Sequence, residues 1–227
     1  MAKLSRRIER ALEMPTGTLR INAPRESVAL LFGLFDAFLK RYPDMRLDIT
    51  TESRLVDIVA EGYDAGIRLA ESLPQDMIAV TLTPDVRMRI VGTAEYFARC
   101  GIPHSPEDLL HHQSIGMRMS HGGLYHWELE RQQQKLTVNV PPRITLSEMG
   151  AIHRAVLAGL GLAFISDWFI KEDLACGRLV SVMDEWCPSF AGLRLYYPGR
   201  RHVPPGLKAF ISLVHELRDR PDPAGKI

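Results

Sequence analysis

The alternation of apolar and polar positions predicts a strand, a helix and a second strand within Thr18–Asp48. Leu19–Ile21 alternates with the period of two that is typical of a strand. A helix is predicted to open at Arg25–Ser27 and to end at Tyr42-Pro43, because proline cannot continue a helix. Alternation then resumes at Leu47–Thr50. The stretch therefore reads as a strand-helix-strand unit, with a polar loop at the carboxyl end of each strand, where α/β sheets bind ligands.

The predicted helix Ser27–Arg41 is apolar on two sides. One apolar stripe recurs at helical spacing and consists of Val28, Leu31, Phe32, Phe35 and Leu39. A second stripe, at i, i+4 and i+8, consists of Leu30, Leu34 and Phe38. A sheet covers only one side of a helix, so the second stripe needs another cover. We therefore expect Leu30, Leu34 and Phe38 to form an oligomer interface.

The chain after this unit continues with alternating helical and strand patterns. Leu55, Ile58 and Val59 predict a short amphipathic helix, and Ala65–Leu69 and Ile78–Leu82 predict two further strands. Strands separated by helices favour a parallel sheet with right-handed crossovers.

A second lobe is predicted after Thr83–Asp85. It opens with the apolar strand Met88–Val91, contains the paired strands Trp127–Leu129 and Leu136–Val140, and has a helix opening near Ser147. The chain is expected to return near Trp186–Pro188 to a last strand, Leu193–Tyr197, and a closing helix. The predicted fold is α/β, with two α/β lobes joined by two crossings and a ligand cleft between them.

The composition of the 227-residue chain is that of an ordinary globular protein. Hydrophobic residues make up 46% and charged residues 24%, which argues against disorder. The net charge of +1 gives no overall electrostatic reason to bind nucleic acid. No apolar run approaches the ~20 residues of a membrane span, and the basic amino end lacks the apolar core of a signal peptide.

The cysteines point to a reducing compartment. Cys100, Cys176 and Cys187 are odd in number and have neither the spacing of a disulfide framework nor that of a zinc site. We therefore expect a cytoplasmic protein that makes no contact with a membrane.

Motifs of catalysis or cofactor binding are not found in the sequence. It has no GxSxG elbow, no Walker-A spacing and no HExxH. Gly159–Gly161 follows a predicted helix and precedes a strand, whereas phosphate-binding glycines precede a helix. We interpret these glycines as a tight turn and predict no catalytic residue, no metal site and no cofactor.

Polar residues in the loops after strands are the candidate ligand contacts. These are Ser27, Ser53, Arg68, Arg118, Glu148 and Ser166. Serines in such places can also act only as helix caps, as Ser27 or Ser147 could. Helix amino termini near Ser27 and Ser147 would favour an anionic group such as a carboxylate, with Arg68 or Arg118 as its charge partner.

An ordered series of segments resembles the effector-binding domain of LysR-type transcriptional regulators. The segments are LRINAP, KRYPDMRLDI, RLVDIVAEGYDAGIRLAE, DMIAVTLTPDVRMRIVGTAEYFARCGIPHSPEDLLHH, AVLAGLGLAFIS and GLRLYYP. The resemblance covers nearly everything from Gly17 to Arg218. The resemblance implies the type II periplasmic-binding-protein fold, with the six candidate residues lining an effector pocket. It also implies that residues 1–16 end a dimerising linker helix.

The resemblance gives boundaries and partners to the predicted lobes. Lobe I is expected to comprise residues 17–84 and 190–220, and lobe II residues 85–189, followed by a flexible tail at 221–227. The expected partners are a small carboxylate-bearing or aromatic effector and further copies of the chain, as a dimer or tetramer. DNA would be contacted only through a domain absent from this chain. The alternative is a stand-alone small-molecule-binding protein of the same fold, and an enzyme on this fold has no supporting motif.

Overall fold

The computed structural model describes residues 14–52, 54–70, 76–199 and 202–219. The chain divides into two compact units. Unit 1 ends at Pro84 and resumes at Gly192, and unit 2 is Asp85–Ala191. The predicted linker helix falls at residues 1–16, of which 1–13 lie outside the described residues, as does the expected tail at 221–227.

Unit 1 is built on a five-stranded sheet with the order β2-β1-β3-β13-β4. Its strands are β1 (Gly17–Ala23), β2 (Met45–Thr51), β3 (Ala65–Leu69), β4 (Met77–Thr81) and β13 (Leu193–Pro198). β1 pairs in parallel with β2 and β3, which confirms the predicted parallel arrangement. β13 pairs antiparallel with both β3 and β4.

The predicted helix Ser27–Arg41 is interrupted, so the expectation of a single helix is wrong. Two helices, α1 (Arg25–Leu30) and α2 (Phe32–Arg41), meet at Leu31, whose backbone leaves the helical region at φ −99° and ψ 5°. The side chain of Leu31 is fully buried.

The second apolar stripe is largely buried inside the chain. The premise that it needs a cover from another copy of the chain is therefore wrong for Leu34 and Phe38. Leu34 is 3% exposed and Phe38 is 0% exposed. Phe38 packs edge-on against Phe210 of the closing helix α6 (Pro205–Asp219), with ring centroids 5.2 Å apart. The helix surface instead presents Phe32, 63% exposed, and Leu39, 40% exposed. Leu30 is half-buried, and its place in an interface stays a prediction.

The helix predicted around Leu55, Ile58 and Val59 is also absent, and residues 58–62 form only a turn. The Asp57 carboxylate accepts hydrogen bonds from the backbone N–H groups of Val59 and Ala60 and so starts the turn. Gly62, at φ 74°, ends it. Asp57 starts the turn and Gly62 ends it only five residues later, which is too short a distance for a helix.

Two glycines in unit 1 are required by close contacts. A Cβ at Gly66 would lie 2.3 Å from the ring of Tyr196, and one at Gly192 would lie 2.0 Å from the Pro84 carbonyl oxygen. Next to the second contact, the Leu193 N–H donates to Thr83 Oγ1 at 2.9 Å. The chain therefore returns to unit 1 along the backbone by which it left.

Unit 2 is built from short strands. Helices and loops pack against both faces of these strands. The strands are β5 (Val86–Gly92), β6 (Ser114–Met117), β7 (Trp127–Arg131), β8 (Gln134–Val138), β9 (Pro142–Leu146), β10 (Ala163–Ser166), β11 (Val180–Val182) and β12 (Ser189–Phe190). β5 pairs antiparallel with β10, β11 and β12, and β6 pairs in parallel with β9. A parallel bridge from Ser114 to Leu162 links β6 to the start of β10.

The helices of unit 2 are α3 (Ala94–Cys100), α4 (Met149–Leu157) and α5 (Asp167–Ala175). Short 3₁₀ turns occupy Asp108–His111 and Asp184–Trp186. Strand β10 is buried on both faces: Phe164 packs with Trp127, while Ile165 packs with Ile152 of α4. The continuous apolar run of this strand is explained by its two-sided burial.

The hairpin β7–β8 confirms the predicted strand pair and has an unusual turn. Trp127 is paired with Val138 and Arg131 with Gln134, which leaves a two-residue turn. Gln132 and Gln133 both have positive φ, 51° and 69°. Such turns favour asparagine and glycine, because other residues are strained in the left-handed region.

We expect Gln133→Gly to raise the free energy of unfolding by about 1 kcal/mol, since glycine adopts positive φ without steric cost. Urea denaturation measures the difference. The control is Gln134→Gly, in strand β8 beside the turn; it should destabilise the protein by about 0.5–1 kcal/mol, because strand glycines lose more entropy. Equal effects of the two substitutions would contradict strain in this turn.

Candidate ligand-binding residues

Ser27 follows β1 and is buried, at 3% exposure. Its Oγ donates to the Pro24 carbonyl oxygen at 2.8 Å, within the first turn of α1. The hydroxyl is therefore committed to local structure, but it is not a helix cap, because the N-cap is Pro24 and has no side-chain cap hydrogen bond. Ser53, the next candidate along the chain, lies outside the described residues.

Arg68 lies in β3 and is buried, at 4% exposure. Its Nη1 donates to the carbonyl oxygens of Ile67 at 2.6 Å and Asn22 at 3.5 Å. Its Nη2 donates to Asn22 Oδ1 at 2.6 Å and to the Arg54 carbonyl oxygen at 2.7 Å. The guanidinium therefore fastens the loop after β2 to the sheet, and four of its five N–H groups are engaged.

Arg68 is a buried cation whose pKa is lowered by its surroundings. Burial lowers its pKa because the charged form loses hydration, although Tyr196 and Glu52 act in the opposite direction. Glu52 itself receives a hydrogen bond from Arg54 Nε at 2.8 Å. In the part of the chain that the structure describes, Arg68 has no ion pair with a carboxylate.

The three candidates of unit 2 meet at one sheet edge. The register of β6 and β9 pairs Met117 with Leu146, so Arg118 and Glu148 follow neighbouring strand ends. Ser166 ends β10, which is linked to β6 in the parallel sense. Parallel strands present their carboxyl ends at the same edge, so Arg118, Glu148 and Ser166 share it.

Arg118 is exposed and anchored at its backbone. Its N–H donates to the Leu146 carbonyl oxygen at 2.8 Å, and its Nη1 donates to the Gly122 carbonyl oxygen at 2.9 Å. A guanidinium has five N–H groups, so this contact leaves Arg118 donors to offer to a ligand.

Glu148 and Ser166 precede helices. Glu148 is the N-cap of α4, and its carbonyl oxygen accepts from the N–H groups of Ala151 and Ile152 at 3.0 Å. Its exposed carboxylate already places a negative charge at this helix terminus, which weakens the argument for an anion there. Ser166 caps α5, because its Oγ accepts from the Trp168 N–H at 3.3 Å.

The sequence did not single out Asn22 or Tyr196, which surround Arg68. Asn22 is fully buried, and its side chain accepts from Arg68. The available signal was a polar asparagine inside the apolar strand pattern of LRINAP. Tyr196 gave no signal, because tyrosine in a strand is ordinary.

A cluster of charged groups joins the helices α4 and α5 of unit 2. Asp173 is 3% exposed, and its two oxygens lie 2.6 Å from His153 Nε2 and 2.6 Å from Arg178 Nε. Burial alone would raise the pKa of Asp173, but the hydrogen bonds from Arg178 and His153 outweigh it and lower that pKa. Asp173 therefore has a structural role: it links His153 of α4 to Arg178, which follows α5.

Metal and thiol chemistry are not supported by the remaining groups. Across the described ranges, no group of three His, Cys, Asp or Glu could hold a metal ion. Burial raises the pKa of the Cys187 thiol to about 11, which keeps it protonated and unreactive at neutral pH. Over residues 14–52, 54–70, 76–199 and 202–219, the helices are too short or too polar to span a bilayer.

Residues 13–219 match the family described as LysR substrate binding domain. The chain belongs to this family. The match covers nearly all of the described residues, and it confirms the resemblance given by the sequence segments. Members of the family are the regulatory domains of LysR-type transcriptional regulators.

Named relatives and solved structures agree with this assignment. The HTH-type transcriptional regulator YcaN of Escherichia coli is 40% identical over 201 residues, which cover 88% of this chain and 66% of that protein. PgrR, also an HTH-type transcriptional regulator of E. coli, is 33% identical over 87% of this chain and 67% of its own length.

The regulatory domain of CrgA, a LysR-type transcriptional regulator from Neisseria meningitidis, superposes with a TM-score of 0.76. It is 27% identical, and the match covers 89% of this chain and 100% of that domain. This likeness confirms the predicted fold class. The chain spans about two thirds of the length of the two curated relatives named above.

We expect Asp173→Asn to lower the free energy of unfolding at pH 7 by about 1–3 kcal/mol, since His153 and Arg178 lose their charged acceptor. The pKa of Asp173 is lower in the folded state than the ~3.9 of an unfolded chain. Its ionised form therefore stabilises the fold above ~pH 4, and this contribution is lost as the pH falls through the folded pKa. The gap between wild type and variant should shrink accordingly in urea denaturation.

The control for this prediction is Glu172→Gln, an exposed acid on the same helix. It should change the unfolding free energy by less than ~0.5 kcal/mol. An Asp173→Asn gap that stays constant down to pH 2 would contradict the role of the charge.

Proposed function

We propose that the chain is the ligand-sensing and oligomerising domain of a LysR-type transcriptional regulator. One small effector, bearing a carboxylate or an aromatic ring, binds each chain. The observation that carries the proposal is the meeting of Arg118, Glu148 and Ser166 at the carboxyl edge of unit 2. That edge is where α/β sheets bind ligands, and membership of the LysR substrate binding domain family supports the same use.

The two arginines have different tasks in this proposal. Arg118 is exposed and keeps N–H groups for a ligand, so it is the charge partner of an effector carboxylate. Arg68 is buried and holds the Arg54 carbonyl oxygen, so it acts on the backbone at Arg54 rather than on the effector. Arg118 and Ser53 are the effector contacts in this proposal.

Regulation follows from a difference in affinity. An effector that binds one arrangement of the oligomer more tightly shifts the population towards it. Coupling free energies of ~1–3 kcal/mol, or about 5–150-fold in affinity, are typical of allosteric proteins in general. DNA is contacted through a separate DNA-binding domain of the regulator, in the cytoplasm.

Self-association uses the outer surface of α2. Phe32 and Leu39 are large apolar side chains that remain 63% and 40% exposed, beside the half-buried Leu30. Burial of exposed apolar area contributes about 25 cal/mol per Å² to association. Phe32 and Leu39 therefore replace Leu34 and Phe38 as the candidate contacts, because those two are already covered by the chain itself.

For the effector, we expect calorimetric screening of aliphatic and aromatic carboxylic acids to find a ligand with a stoichiometry of one. Arg118→Ala should weaken it about tenfold or more, because a charge-assisted hydrogen bond is worth ~1.5–3 kcal/mol. Ser53→Ala should weaken it about fivefold, as expected for a neutral hydrogen bond of ~1 kcal/mol. Arg99→Ala, an exposed arginine at the end of α3, is the matched control and should have no effect.

The outcome that contradicts this assignment is a ligand whose affinity survives the double substitution Arg118→Ala and Ser53→Ala. If none of the carboxylic acids in the screen binds, the proposal that the effector bears a carboxylate is wrong.

For self-association, we expect Phe32→Glu with Leu39→Glu to lower the molar mass in light scattering, while circular dichroism stays unchanged. Both side chains are exposed, so the fold tolerates the charges. Leu34→Ala is the contrasting variant: it should cost about 2–4 kcal/mol of stability, because it removes a buried side chain. An unchanged molar mass in the double variant would place the interface elsewhere.

A further inference from the structure

Three buried hydrogen-bond donors of unit 1 are left without a protein partner. They are Asn22 Nδ2, Arg68 Nε and Tyr196 Oη. The three residues are 0%, 4% and 0% exposed, so bulk water does not solvate them. Each unpaired donor would be costly by itself, and buried polar groups normally have partners. Three in one place require an explanation.

The three donors lie on one face of the sheet. Strand register pairs Gly66 with Asn22 on β1 and with Tyr196 on β13. Arg68 is two residues beyond Gly66 and therefore presents its side chain to the same face. The contact between Arg68 Nη2 and Asn22 Oδ1, at 2.6 Å, agrees with this placement.

Gly66 brings the tyrosine hydroxyl into this group. A Cβ at position 66 would lie 2.5 Å from the Tyr196 hydroxyl, so that hydroxyl stands directly over the glycine. Asn22 is on one side of the glycine, and Arg68 is two residues along the same strand. The donors thus surround one small patch of the sheet.

The chemistry of the patch is that of an anion site. All three groups donate, and Arg68 brings a full positive charge whose other contacts are neutral oxygens. Glu52, an acid whose charge affects Arg68, is hydrogen-bonded to Arg54. A water molecule accepts two hydrogen bonds, whereas a halide accepts three or more and also neutralises a buried cation.

We propose that Asn22, Arg68 and Tyr196 bind a small monovalent anion of the size of chloride, inside unit 1. The ion completes the hydrogen bonds of Arg68 and so stabilises the loop that Arg68 holds at the Arg54 carbonyl oxygen. The patch is closed to solvent, so it does not receive the effector carboxylate directly. This site is independent of the proposed effector, because all its residues belong to unit 1 and its probe is a simple halide.

Crystals of the full chain grown in sodium bromide test the site directly. An anomalous bromide peak within ~3.5 Å of Arg68 Nε, Asn22 Nδ2 and Tyr196 Oη is the expected result. A scatterer with the density of water and no anomalous signal, or an empty patch, would overturn the proposal.

Thermal unfolding in solution gives a second test, in which chloride replaces gluconate at constant sodium. Wild type should show a saturable rise in Tm with chloride, because an ion that binds only the folded state stabilises it. Tyr196→Phe keeps the ring but removes one donor, and its chloride midpoint should rise about tenfold. Tyr197→Phe, a half-buried neighbour on β13, is the control and should match wild type.

Asn22→Asp separates an ion site from a general salt effect. The new carboxylate lies beside Arg68 and takes the place of the ion, so the variant should lose the chloride dependence. If wild type and Asn22→Asp respond to chloride alike, the dependence does not come from this site and the inference fails.

Discussion

The sheet of unit 1 depends on one strand that the chain supplies last. β13 lies between β3 and β4 and is hydrogen-bonded to both, with Leu195 opposite Ile67 on one side and Val80 on the other. Without β13, the edge strand β4 has no neighbour in the sheet. More than a hundred residues of unit 2 separate β4 from this partner, so closing the sheet carries a large loop-closure entropy. Where the chain returns, Gly192 lies so close to Pro84 that a residue with a side chain does not fit at position 192.

Burial distinguishes the polar residues that the fold encloses from those that stay at the surface. Ser27, Ser166 and Asp173 each satisfy groups within their own segment or its neighbour, and all three are nearly closed to solvent. Arg118 and Glu148 keep their side chains at the surface of the sheet edge. The candidate residues therefore differ in how far the fold encloses them.

The sequence predicted the strands of unit 1, because alternation and proline positions are local signals, and it predicted the parallel pairing of β1 with β2 and β3 but not the antiparallel β13. It did not predict the break at Leu31, since the local pattern carries no information on how Phe35 and Phe38 pack against Phe210, far along the chain. β9 was missed because Pro141 and Pro142 open it and mask the strand pattern. Among the candidate site residues, the sequence placed Ser166 at the end of a strand, as in the structure, but Arg68, expected in a loop, lies within β3. Its burial depends on neighbours from β1, from β13 and from the loop after β2, which are far apart in the sequence.

The contact between Gly66 and Tyr196 has a consequence for the evolution of the domain. The two positions face each other across β3 and β13, and the ring occupies the volume that a side chain at 66 would need. A relative that acquires alanine or a larger residue at 66 can keep the sheet only if position 196 becomes small in the same lineage. The pair should therefore vary together across homologues, and a tyrosine at 196 should mark those lineages in which position 66 has stayed glycine.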